Sequence, residues 1–176
     1  CRDAKREMDA ASGSATPRAM SVNVSSRQLS RASFVDDVTC AIEESGLPAA
    51  QLILEVTETA VLDDWEAAAA SLTRLSKRGV RVAIDDFGTG YATLKHLKQL
   101  PVDIVKIDRS FVAGLGRDDG DMAIVTSVIS LAHALGTEVI AEGVETTAQR
   151  DILLALGCTH GQGWLFGPAV ELSSSE

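Results

Sequence analysis

Asn23, Glu55, Asp85 with Asp86, Lys106 with Asp108, Glu142 and Gln162 each stand at the end of a short apolar run. The intervals between them repeat: 32 residues from Asn23 to Glu55, 30 from Glu55 to Asp85, 20 from Asp86 to Lys106, 36 from Lys106 to Glu142 and 20 from Glu142 to Gln162. Carboxylates joined by an amide oxygen, with little histidine, suit a hard divalent cation such as Mg²⁺ or Mn²⁺, whereas zinc draws histidine or cysteine. Two such ions about 3.5 to 4 Å apart can clamp a phosphodiester, generate hydroxide from a bridging water and stabilise the departing alkoxide. In that chemistry Asn23, Glu55, Asp85 and Asp86 are ligand candidates, and Lys106 orients the water or offsets charge on the phosphorus. The bland alternative is that each acid caps a helix or satisfies loop amides. It serves well for any one of them and poorly for six strand ends together.

Such a set works only if the elements bring it to one place. An apolar strand followed by an amphipathic helix, repeated, makes βα units of a parallel sheet, and each interval above fits about one unit. Strands are predicted at Ala19–Val24, Leu52–Val56, from Val80 through Ile84, at Ile104–Ile107, at Val139–Ala141 and near Cys158–Gln162. One helix is predicted through Leu29, Phe34, Val35, Val38 and Ile42 until Gly46 and Pro48 stop it. Asp63 or Asp64 caps the next, which carries Leu72 and Leu75 and ends at Gly79. A short helix holds Leu94 and Leu97. Ala113–Asp121 reads as a connection before a long helix ending at Gly136. Thr146 with Gln149 is a capping-box pattern, and Gly157 ends the last helix. Arg2–Ala11 reads as helix, Ser12–Pro17 as a loop and Leu172–Glu176 as a tail. Six strands in this order suit an open doubly wound sheet or most of a (β/α)8 barrel. The barrel is preferred, because an open sheet concentrates ligand groups at its switch point while a barrel gathers every strand end round one mouth.

The chain has 176 residues, a formal charge of −9 and a pI near 4.8. That charge opposes binding to duplex DNA or RNA, whose phosphates demand a basic face. An acidic protein that handles phosphates needs a cation. Cys1, Cys40 and Cys158 are odd in number and lack the paired spacing of a zinc site, so they read as reduced thiols in a cytoplasmic setting. No stretch approaches 18 uninterrupted apolar residues, so no membrane contact is expected of this segment. His96 and His133 fall on helical stretches and read as packing or surface residues. His160 is nearer the rim but unpartnered, and Trp164 and Phe166 read as a cover over one barrel end.

Taken together, Ser21-Val-Asn23-Val-Ser25, Leu54-Glu55-Val-Thr-Glu58, Asp85-Asp86-Phe-Gly-Thr-Gly90-Tyr91, Val105-Lys106-Ile-Asp108, Ala141-Glu142-Gly-Val-Glu145 and Gly161-Gln162-Gly163 strongly resemble the EAL domain of bacterial cyclic di-GMP phosphodiesterases. The resemblance implies an α/β, TIM-type (β/α)8 barrel, with about six of its eight strands in this chain. It implies a partial domain over residues 1–171, followed by a tail at 172–176, with the first two strands and the name-giving glutamate lying before Cys1 in a longer protein. The activity implied is hydrolysis of cyclic di-GMP to pGpG with Mg²⁺ or Mn²⁺, two per site. By resemblance Asn23, Glu55 and Asp85 hold the first metal, with Asp85 shared, and Asp86 belongs to the second. Lys106 positions the water, Asp108 supports the site, and Glu142 is a further metal or water-network ligand. Gln162 and Glu145 are substrate-side or water-orienting. Glu58 holds the regulatory loop Phe87, Gly88, Thr89, Gly90 and Tyr91, the family's link between dimer contacts and metal occupancy. The implied partners are cyclic di-GMP, a second copy in a homodimer, and an upstream sensor or GGDEF (diguanylate cyclase) domain in a parent that is cytoplasmic or membrane-anchored. Two other readings are a degenerate EAL-like receptor that binds cyclic di-GMP without cleaving it, and a barrel aldolase or enolase-type enzyme using Lys106 as base.

Overall fold

The computed structural model describes residues 1, 5, 19–88 and 98–168 of the chain. The expected helix at Arg2–Ala11, the loop Ser12–Pro17, Thr89, Gly90 and Tyr91, the helix with Leu94, His96 and Leu97, and the tail Leu172–Glu176 lie outside the described residues, apart from Lys5. Six strands form one parallel sheet: β1 (Met20–Val24), β2 (Leu52–Thr57), β3 (Arg81–Phe87), β4 (Ile104–Ile107), β5 (Glu138–Ala141) and β6 (His160–Gly161). Their order across the sheet is their order in the chain. That order separates the two folds the sequence allows. A doubly wound sheet reverses its strand order at a switch point, whereas consecutive right-handed crossovers lay every helix on one face and curl the sheet toward a barrel. The strands are thus consecutive members of a TIM-type barrel that is not closed among the described residues.

Strand side chains alternate between two faces. Leu54, Val56, Val82, Ile84, Val105, Ile107, Val139 and Ala141 point outward into the main core, which they share with the helices. Ile53, Ala83 and Ile104 point inward and form a smaller cluster with Ile140 packed against it. Arg81 and Glu138 share that inward parity at the amino ends of β3 and β5, and their ion pair closes at 2.8 Å. Glu55, Asp85 and Lys106 lie two residues further along than Ile53, Ala83 and Ile104, and Glu142 stands likewise to Ile140. The interior is layered, as in barrels of this kind: an ion pair, then an apolar floor, then a charged top.

Between β1 and β2 the sequence predicts one helix, but the structure makes two, α1 (Ser26–Leu29) and α2 (Phe34–Ser45). Leu29 and Phe34 are both buried. Five residues apart, they would sit about 140° apart on one continuous helix. The turn at 30–33 brings both into the core. Gly46 closes α2 at a left-handed φ of 67°, as its position predicts. Between β2 and β3, α3 (Glu58–Asp63), which the sequence reading lacks, precedes α4 (Trp65–Ser76). Asp64 caps α4 by accepting from the Ala67 amide, and Ala68, Leu72 and Leu75 bury its inner face. After β4 comes α5 (Arg109–Ala113), so the expected connection Ala113–Asp121 shortens to the stretch before α6 (Asp119–Leu135), which Asp118 caps. α7 (Thr147–Ala155) opens with the expected Thr146–Gln149 capping box. Trp164 and Phe166 do not cover the core. They are 72% and 58% exposed, because their 3-10 turn follows β6, which pairs only with β5 among the described residues.

Candidate active site

Lys106 is the centre of the charged layer. Its ammonium donates to Glu142 Oε1 at 2.5 Å and Glu55 Oε2 at 2.8 Å and lies 3.2 Å from Asp85 Oδ1, with its side chain only 5% exposed. Four strands supply this cluster, each contributing an inward side chain at its carboxyl end, and in-register pairing sets Asn23 of β1 directly beside Glu55. Burial alone depresses the lysine, but hydrogen bonds to Glu142 and Glu55, with the charges of Glu142 and Asp85, outweigh it and hold the amine protonated well above the ordinary lysine range. Three carboxylate partners round the ammonium oppose the neutral amine that the aldolase or enolase reading needs.

Asp85 and Asp86 are consecutive and so belong on opposite faces of a regular strand. A bulge prevents that. Ile84 pairs with Val105 and Phe87 with Ile107, so β3 advances three residues while β4 advances two. The extra residue is Asp86, at a φ of 54°, a conformation that aspartate tolerates and branched side chains do not. Both acids therefore serve the mouth, and Phe87 returns to the outward core. One carboxylate oxygen from each of Asp85, Asp86 and Glu142 can lie within 4.8 Å of the others, a grouping that fits a hard divalent cation. Burial and then the charges of Asp85 and Asp108 raise Asp86 above its ordinary value. Burial likewise raises Glu142, against the pull of Lys106. Acids so crowded are poised to take a cation.

The remaining candidates divide. Gln162 Nε2 donates to Glu142 Oε1 at 2.7 Å, so both stand at one rim. The Gly88 amide donates to the buried Glu58 Oε2 at 3.4 Å, fixing the start of the loop whose Thr89, Gly90 and Tyr91 lie outside the described residues. Asp108 follows the bland alternative in part: it caps α5, accepting from the Ser110 amide at 2.9 Å and from the Ser110 hydroxyl. Although burial works against ionisation, those hydrogen bonds and one from Asp86 hold its carboxyl below the usual range. Glu145 is not drawn into the cluster by any described contact. Its residue is exposed, and its backbone N–H donates to Gln149 Oε1. His133 and His160 are exposed. The motif Ala141-Glu142-Gly-Val-Glu145 includes Gly143 without its reason, which is that an added Cβ would meet Arg109 Cβ at 2.6 Å. The positive φ that singles it out does not show in a residue pattern.

A sequentially ordered parallel sheet of TIM type with acids and one lysine at its carboxyl rim defines a class: an α/β barrel whose acidic cluster could hold a metal ion. The sequence profile of the EAL domain matches residues 1–169, and the chain belongs to the EAL domain family. It is 44% identical over 159 residues to the bifunctional diguanylate cyclase/cyclic di-GMP phosphodiesterase MucR of Pseudomonas aeruginosa, covering 89% of this chain and 23% of MucR. It is 42% identical over 157 residues to the cyclic di-GMP phosphodiesterase NbdA of the same organism, covering 89% of this chain and 20% of NbdA. The chain thus spans less than a quarter of these curated relatives. Among solved structures, the PaMucR phosphodiesterase in its c-di-GMP complex superposes with a TM-score of 0.89 at 42% identity, over 96% of this chain and 67% of that one.

Proposed function

We propose that this chain is the catalytic part of a cyclic di-GMP phosphodiesterase that opens one phosphodiester of the cyclic dinucleotide to give pGpG. The observation that carries the reading is Lys106 held among Glu55, Asp85 and Glu142, beside the second acid Asp86, at one rim. The phosphodiesterase activities for which MucR and NbdA are named support it. Asn23, Glu55, Asp85, Asp86 and Glu142 would hold Mg²⁺ or Mn²⁺, two per site. When bound, the ions would acidify an attacking water and neutralise the phosphodiester's charge.

The chain's own residues do the rest. Lys106 fixes the carboxylate oxygens of three strands and brings a permanent positive charge to where charge develops on the phosphoryl oxygens. Gln162 commits its amide N–H to Glu142, which leaves its carbonyl oxygen to accept from the attacking water or from substrate. Asp108 shares a hydrogen bond with Asp86 and fixes that carboxyl. Glu145, which is exposed, is assigned to the substrate side, and Glu58 to holding the regulatory loop at Gly88. The domain occupies residues 1–171, pairs with a second copy and answers to an upstream sensor or GGDEF domain in a cytoplasmic or membrane-anchored parent. No helix among the described residues is long and apolar enough to cross a membrane.

The test is turnover of cyclic di-GMP by the intact protein with Mg²⁺ or Mn²⁺ and with EDTA. Linear pGpG that forms only with the metal is expected. Tight binding without cleavage in saturating metal would replace this reading with the receptor.

A further inference from the structure

Gln149 does more than cap a helix. Its Oε1 accepts from the Glu145 and Thr146 amides, each at 2.9 Å, and from the Thr146 hydroxyl at 3.2 Å. Its Nε2 reaches across 37 positions of sequence to donate to the Val112 carbonyl at 3.1 Å, in a buried bond. A capping box needs only the oxygen. The nitrogen is therefore an added device, and what it joins is specific. Val112 lies in α5, the helix that Asp108 caps. Glu145 and Thr146 end the segment that starts at Glu142. Between them Gly143 sits so close to Arg109, the first residue of α5, that no side chain fits there. The rest of that segment is held from both sides: Glu142 N–H donates to the Ile107 carbonyl of β4, and Val144 N–H to the Gln162 carbonyl after β6.

We infer that Gln149 is a positioning residue for the metal-binding face of Glu142, tying the segment after β5 to the helix that carries Asp108. The inference rests on the metal reading proposed above. Glu142 and Asp108 approach the Asp85–Asp86 pair from neighbouring strands, and a hard cation tolerates little error in the oxygens that hold it. The backbone bond from Glu142 to Ile107 ties the two strand ends, and the buried amide adds a second tie, between the loop after β5 and α5. Without it the segment after β5 keeps its strand-end bond to Ile107 and loses its hold on α5.

Gln149→Glu separates the two roles. A glutamate keeps the capping oxygen, a usual choice at that position, but turns a carboxylate oxygen on the Val112 carbonyl in place of a donor. Thr146→Ala is the opposite change, since it removes the cap hydroxyl while leaving Gln149 its two amide donors and its bond to Val112. The measurement is Mn²⁺ affinity of the intact protein by electron paramagnetic resonance titration, with melting temperature alongside. Gln149→Glu is expected to weaken Mn²⁺ binding by about tenfold, the usual effect of losing a partner that orients a ligand. Excess Mn²⁺ should then restore turnover. Thr146→Ala should lower the melting temperature and keep the native affinity. Gln149→Met, neutral and of similar volume, gives the same readout if the buried glutamate prevents folding. Native Mn²⁺ affinity in both Gln149 variants, or losses in Thr146→Ala as large as theirs, would overturn the inference. A native protein that takes up no Mn²⁺ overturns it along with the functional reading. One that binds Mn²⁺ without cleaving cyclic di-GMP sinks the phosphodiesterase alone, and the titration still decides the role of Gln149.

Discussion

Lys106 gathers three carboxylates that would otherwise repel each other, so its removal acts on stability as well as on chemistry. Breaking a buried ion pair by deleting one partner costs about 3 to 5 kcal/mol, because uncompensated charge stays behind. Lys106→Met should therefore melt well below the native protein in EDTA and recover part of that loss in Mg²⁺, which can replace the missing positive charge. Its turnover should fall by at least about 10²-fold even in saturating metal, since the group directed at the phosphoryl oxygens is gone. Asp85→Asn should lose turnover to a similar degree while staying folded, because Lys106 keeps Glu55 and Glu142 as partners. Calorimetry with a pGpG assay reads both, and unchanged turnover in either variant rejects the assignment. Glu58 acts differently, since its carboxylate accepts from the Gly88 amide at the start of the loop. Glu58→Ala should raise the metal concentration needed for half-maximal turnover. An unaltered metal titration would end its role as loop holder.

At the scale of elements, the regular units were legible in the sequence and the departures from them were not. Gly46 and Gly136, at φ of 67° and 72°, and the Thr146 capping box end or begin helices where side-chain chemistry demands it. The break at residues 30–33 was not legible, because Leu29 and Phe34 fit one apolar pattern and only the position of the core forces them apart. The bulge in β3 is a second case. Two adjacent aspartates announce a site, but that both face the mouth follows from the register against β4. The sequence marks Gly161-Gln162-Gly163 as a motif without giving the reason, which is contact. A Cβ at Gly163 would stand 2.3 Å from the Val144 carbonyl oxygen and 2.4 Å from its nitrogen, both backbone atoms that cannot step aside. Gly163→Ala should therefore destabilise the fold by about 1 to 3 kcal/mol, the range for backbone forced from its conformation. It should also displace Gln162 from Glu142. Urea unfolding together with the KM for cyclic di-GMP checks this; native values for both would show that the loop yields freely.

Over the whole molecule, one inward layer concentrates charge of one sign, and that fixes how stability responds to metal and pH. The chain carries a formal charge of −9, and Glu55, Asp85, Asp86, Asp108 and Glu142 share one rim with Lys106. Burial, then the neighbouring acids, raises Asp86 in the folded state, and burial raises Glu142. A carboxyl whose folded value lies above its unfolded one favours the fold when protonated and penalises it once ionised. The penalty grows as pH rises from the ordinary carboxylate range through the raised folded values. A divalent cation bound only by the native cluster opposes it, adding about 2.7 kcal/mol at a hundredfold excess over its Kd. For a chain of this length that corresponds to a rise of about 5 to 10 °C in melting temperature. Asp86→Asn removes one contributor while keeping a residue that accepts the left-handed backbone at the bulge. Without metal at pH 7 this variant should melt above the native protein, and the difference should vanish once the pH falls below the unfolded carboxylate range. With Mg²⁺ the order should reverse, because the native cluster gains the cation and the variant gains little. A variant that melts below the native protein at pH 7 in EDTA would mean that Asp86 is not crowded by its neighbours, and one that gains as much from Mg²⁺ would mean that Asp86 is no part of the cation's shell.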